Sequence, residues 1–153
     1  MVDTASIGRR FPPLTVAVDA ERLRLFARAT GETRREYIDE AAARAAGHLG
    51  LPAPPTYIAC LSLDEADPFS WLREIGADIA QVLHGAQGFR YFVPVHAGDR
   101  LTFVARIANV LQKRSGSRAF VVKVTDITNQ NGVRVAEMRT TIVVRGNSNG
   151  DHV

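Results

Sequence analysis

Apolar residues recur with helical spacing through most of the first half of this chain and, beyond Gln87, with the looser alternation of strands. The exception in the first half is Leu14-Thr15-Val16-Ala17-Val18, a short alternating run freed from any early helix by Pro12-Pro13. Asp19 then stands as an N-cap. From Glu21 to about Ala29, Leu23, Phe26 and Ala27 fall at i, i+3 and i+4, which makes one buried helix face, and Gly31 ends it. A second short helix is predicted from Asp39 as cap through Glu40 and the alanine-rich run to Ala46, with Gly47 as its stop. Leu51-Pro52-Ala53-Pro54-Pro55 must be extended, because proline disfavours helix in the residue before it. Thr56 then opens a third helix through Leu63 that is apolar nearly all round, the pattern of a helix buried on most sides.

Asp67-Pro68 introduces a further helical stretch through Trp71, Leu72 and Ile75, closing near Gly76. Strands are then predicted at Phe89 to Val93, Leu101 to Leu111, Ala119 to Thr128 and Val133 to Val144. Asn131-Gly132 marks a tight hairpin turn with positive φ at both residues, and Ser115-Gly116-Ser117 marks the turn before it. This order predicts an α+β domain, an antiparallel sheet wrapped round a central apolar helix. With 153 residues, 46% of them hydrophobic, one core is expected. We assign it residues 1–146 and leave 147–153, polar and glycine-rich, as a flexible C-terminal tail.

Charge narrows the partners only slightly. The net +3 comes from 19 basic against 16 acidic residues, and the basic ones are nearly all arginines scattered from Arg9 to Arg145. A nucleic-acid partner would need them clustered, so none is expected. The single cysteine, Cys60, has apolar neighbours and reads as a small core residue. No basic segment followed by an apolar run opens the chain, and no segment reaches the length of a membrane span. We therefore expect a cytoplasmic protein with no membrane partner.

The residues that identify a family are short and ordered. They are Ala27 to Glu32, Tyr37 to Gly47, Ala53-Pro54-Pro55-Thr56, Leu83-His84-Gly85 with Gln87, Pro94 to Asp99, and Val143-Val144-Arg145. In that order and spacing the chain resembles the MaoC-like dehydratases, in particular the N-terminal dehydratase type, from Ile7-Gly8 to about Arg145. The resemblance implies a single hot-dog domain that dimerises, with itself or with another hot-dog protein. It also implies an acyl-CoA or acyl-carrier-protein thioester, or a related polyketide-like chain, as ligand, and no cofactor.

Catalytic members use the Asp and His of a Gly-Asp-x-Asn-Pro-x-His loop to add water across an enoyl thioester or remove it. Such chemistry needs one group to deprotonate water, another to manage the α-carbon proton, and N–H donors for the developing enolate oxygen. Here Gly31 is kept, but Glu32, Arg34, Arg35 and Tyr37 stand where Asp, Asn, Pro and His belong. Glu32 and Tyr37 are the candidate catalytic pair. The extra methylene of Glu32 moves its carboxylate by about 1 Å, a misplacement that costs about 100-fold in rate. A phenol with a reference pKa of about 10 shuttles protons poorly near neutrality.

Candidate substrate-binding residues are Arg34, His84, His96 and the segment Pro55, Thr56, Tyr57, whose backbone offers donors at a helix start. His48 and His152 read as solvated, and no close-set ligand pattern suggests a metal. Three readings follow from the resemblance. The first is a dehydratase or hydratase with an altered catalytic loop. The second is a non-catalytic subunit of a heteromeric hydroxyacyl dehydratase, and the third a dehydratase or cyclase repurposed for natural-product synthesis.

Overall fold

The computed structural model describes residues 2–113 and 118–146, and the expected Ser115 turn, the 147–153 tail and His152 lie outside them. A five-stranded antiparallel sheet is built from β1 (Leu14–Ala17), β2 (Val82–Tyr91), β3 (Arg100–Gln112), β4 (Arg118–Thr128) and β5 (Arg134–Arg145). Its order is β1-β3-β4-β5-β2, so β1 and β2 form the two edges. Four helices accompany it: α1 (Ala20–Ala29), α2 (Glu40–Ala45), α3 (Tyr57–Leu61) and α4 (Ser70–Glu74).

Local chemistry sets the helix boundaries. The Asp19 carboxylate accepts the Arg22 N–H at 2.8 Å and Asp39 accepts that of Ala42 at 2.8 Å, so both helices begin where an orphan donor finds a side-chain oxygen. Both stop at glycines in the left-handed region, Gly31 at φ 71° and Gly47 at φ 90°. The turn between them, Arg35–Tyr37, is held to α1 by Arg24 Nε donating to the Ile38 carbonyl at 3.0 Å.

The helix that the sheet covers is α3. Tyr57, Ile58 and Leu61 are buried in one core with Leu101, Phe103, Ile127, Val135 and Met138 of the sheet. Cys60 is not the core residue its apolar neighbours suggest: it is exposed, on the face of α3 turned away from that core. It is shorter than its apolar pattern predicts: Leu63 and Asp64 donate to Cys60 and Leu61, three residues back, so the chain leaves the helix through a tightened turn. Asp64 is then drawn to Arg22 of α1 at 2.6 Å. A second core lies under α4, where Trp71, Leu72 and Ile75 meet Ile107, Val121, Ile142 and Val144.

Strand β2 begins at Val82, seven residues ahead of the predicted Phe89. Gly85, Ala86 and Gly88 carry little strand propensity, and it is the ladder to β5 that holds them extended. The register shifts between His84 and Ala86, leaving Gly85 as a bulge, where an added Cβ would lie 3.1 Å from the Thr141 carbonyl oxygen. The β4–β5 connection also departs from expectation. Of Asn131 and Gly132 only the glycine has positive φ, and Asn129 organises the loop by accepting the N–H groups of Asn131 and Val133 at 3.0 and 3.1 Å. Among the described residues no helix is long and apolar enough to cross a membrane.

Candidate functional site

Two extended segments that the prolines hold open form one wall of the site. Ala53 N–H donates to Val95 O at 2.8 Å and Ala97 N–H to Leu51 O at 2.9 Å, so residues 51–53 and 95–97 run antiparallel. Beside them lies a cavity of about 300 Å³ whose lining includes Tyr37, His48, Pro55, Ile58, Tyr91 and Phe92. Its walls are mainly proline, aromatic and aliphatic side chains, the composition of a site for an apolar ligand fixed by a few polar groups.

Of the candidate catalytic pair, only Tyr37 reaches this cavity. Its ring lies 4.7 Å from the Arg34 guanidinium carbon. Glu32 is not among the lining residues, and its carboxylate is paired with that same arginine. Arg34 donates from Nε at 3.1 Å, Nη2 at 2.8 Å and its backbone N–H at 3.0 Å to the two carboxylate oxygens. The Arg34 side chain, then its backbone N–H, pull the carboxyl down to about 2. A base so weak, with three of its roughly four acceptor sites already occupied, deprotonates water poorly.

The donors at the start of α3 are also engaged. Thr56 is the one non-glycine residue at positive φ among the described residues, at 74°, and its N–H donates to the Tyr91 hydroxyl at 2.9 Å. Tyr57 N–H donates to Pro54 O at 3.1 Å, and Pro55 has no N–H to offer. The Tyr57 side chain packs edge-on against Phe26, ring centroids 5.2 Å apart, with its hydroxyl buried and without a partner among the described residues. Burial pushes the phenols of Tyr57 and Tyr91 up, so both stay protonated.

The histidines separate. His84 is exposed on β2 opposite Ile142 and does not line the cavity. His96 stands behind the cavity wall, its ring 5.6 Å from that of His48 in an edge contact. Burial, with a smaller contribution from His48, lowers its pKa against the opposing pull of Asp99, and its Nε2 has no partner among the described residues. His48 is therefore part-covered and on the cavity lining, a position its sequence does not suggest. No local signal marks it; the pairing of 51–53 with 95–97 brings it in. Tyr91 and Phe92 were equally illegible as site residues, because their role follows from where β2 ends.

An antiparallel sheet closed over a short apolar helix, with an apolar cavity at the helix start, defines a MaoC-like hot-dog domain. The chain belongs to the family described as FAS1-like, dehydratase domain region, which it matches over residues 5–138. It is 36% identical over 145 residues to a UPF0336 protein of Streptomyces griseus subsp. griseus, covering 94% of this chain and 95% of that one. A chain of the C-terminally truncated HadBC (3R-hydroxyacyl-ACP dehydratase) complex of Mycobacterium tuberculosis superposes with a TM-score of 0.76 at 29% identity, over 90% of this chain and 96% of the other. The MaoC-like dehydratase of Rhodospirillum rubrum gives 0.69 at 25% identity, over 92% and 93%.

Proposed function

We propose that this chain is the ligand-holding, non-catalytic subunit of a heteromeric hydroxyacyl-thioester dehydratase. The Tyr37 cavity takes the acyl portion of an acyl-CoA or acyl-carrier-protein thioester, and a homologous hot-dog partner supplies the carboxylate and imidazole. The observation that carries this reading is the state of Glu32, tied to Arg34 by three hydrogen bonds and absent from the cavity lining. The kinship with a chain of the HadBC complex supports a partner of the same fold. So does β2, an edge strand that has no further strand beside it among the described residues and whose Leu83 is 54% exposed.

The test is hydration of short and long enoyl-CoA substrates by the purified chain, alone and after co-expression with a hot-dog protein carrying an intact Gly-Asp-x-Asn-Pro-x-His loop. Turnover is expected only from the pair. Turnover by this chain alone that falls in Glu32→Gln would instead make it a dehydratase or hydratase in its own right. His48 gives that second reading its one specific support, since it places an imidazole on the cavity lining beside Tyr37.

A further inference from the structure

Lys123 is one of only two lysines in the sequence, and its position differs sharply from that of the arginines. Along β4 the positions Ala119, Val121, Thr125 and Ile127 are all buried, and Lys123 falls in the same row. Its stem therefore enters the core between the α3 and α4 clusters. Its ammonium nitrogen lies 4.2 Å from the centroid of Trp71 and lines a cavity of about 140 Å³ with Phe11, Leu14, Trp71, Phe103 and Thr125. None of these lines the Tyr37 cavity.

Among the described residues Lys123 makes no ion pair. Glu74, on the same cavity, is engaged by Arg9 at 2.7 Å. Glu65 also lines it, but is exposed and beyond the 4.0 Å reach of an ion pair. Trp71 offers one π face to the ammonium, which satisfies none of its three N–H donors by a conventional acceptor. Burial lowers the group to about 8 against the opposing pull of Glu65, so at neutral pH it is still mainly charged. A part-buried charge with no anion in ion-pair contact among the described residues is an arrangement that a bound anion would relieve.

We propose that this cavity is a second ligand site, which binds a small carboxylate on the Lys123 ammonium with an apolar body against Phe11, Trp71 and Phe103. A cavity of roughly 150 Å³ accommodates a benzene ring, which sets the size of that body. The polarity follows from exposure: Lys123 is part-buried whereas Glu65 and the Arg9-paired Glu74 are exposed, so the end of the ligand that enters must be the anionic end. The inference does not depend on the acyl-thioester reading of the Tyr37 cavity. The carboxylate arrives either on a free acid or at the far end of an acyl chain.

The experiment uses the full chain with 13C-labelled lysine, whose two Cε resonances separate Lys123 from the exposed Lys113. Sodium benzoate is expected to shift the Lys123 signal saturably, leave Lys113 in place and perturb the fluorescence of Trp71, the single tryptophan. In Lys123→Met, checked for an unchanged amide spectrum, Trp71 should report affinity at least about tenfold weaker, the loss of a charge-assisted contact. If Lys123→Met does not fold, benzyl alcohol and benzylamine on the wild type decide the matter, since both should bind much more weakly than benzoate. Free hexanoate compared with the CoA monothioester of adipate distinguishes the two sources of carboxylate, and a Lys123 shift with either supports the site. An unmoved Lys123 with all three carboxylates, an equal response to benzyl alcohol, or preference for benzylamine would each overturn it.

Discussion

Glu32 keeps an acid where an acid is wanted and loses its basicity to the residue two positions later. Because its folded pKa is depressed, the Arg34 pair contributes stability that is present above the ordinary glutamate range, about 4.3, and fades as pH falls toward 2. A carboxyl-carbon NMR titration should give a Glu32 midpoint near 2, and Arg34→Ala should return it toward the ordinary range. A midpoint above 4 in the wild type would restore Glu32 as a usable base. Thr56 is the other residue whose state is set by its surroundings. A β-branched side chain at φ 74° is strained, and the Tyr91 hydroxyl and the buried start of α3 hold it there. Thr56→Gly should raise stability to urea unfolding by up to about 1 kcal/mol, the relief of left-handed strain exceeding the added freedom of the unfolded chain. Destabilisation by that variant would mean that the side chain itself supports the site.

The elements show which local signals survive folding. Caps and stops were legible: Asp19, Asp39, Gly31 and Gly47 act where the sequence places them, because each makes or permits a backbone geometry within a few residues. The hot-dog fold was legible too, through the order of short motifs around α3 and the strands. The start of β2 was not, since Gly85 and Ala86 become strand only through β5, more than fifty residues away. The site was legible in part. Tyr37 and Pro55 meet in the cavity, but His48 and Tyr91 arrive through tertiary pairing that no local pattern encodes. Glu32 is lost to the site by a local contact, Arg34 two residues on. The length of α3 gives a test at this scale. With only five residues it contributes little helix free energy of its own, so packing must hold it. Leu61, fully buried, carries much of that packing, and Leu61→Ala should cost about 2–5 kcal/mol in chemical denaturation. A loss below 1 kcal/mol would show that α3 collapses onto the sheet without it.

At the scale of the whole molecule, the question is why a domain with two filled cores leaves β2 so bare. Among the described residues its outer edge has no strand beside it, and apart from Gln87 and Phe89 the residues from Leu83 to Phe92 are exposed. An edge of this kind pairs with other chains unless charge or curvature prevents it. Here Gly85 and Gly88 leave the backbone accessible, while Leu83, Tyr91 and Phe92 present apolar area at either end. If assembly uses this edge, a lysine introduced there should oppose it without disturbing the core. Leu83→Lys is expected to weaken self-association, or association with a hot-dog partner, at least about tenfold in sedimentation velocity, through an uncompensated charge in the interface. Its unfolding free energy as a monomer should stay within about 0.5 kcal/mol of the wild type, because the position is surface. Leu25→Lys is the control. Leu25 is 61% exposed on α1, remote from β2 in the chain, and a lysine there should leave assembly unchanged. Equal weakening by both variants would point to a general charge effect, and no weakening by Leu83→Lys would remove β2 as the joining edge. The partner-dependent reading would then need another surface to bring a second active-site loop to the Tyr37 cavity.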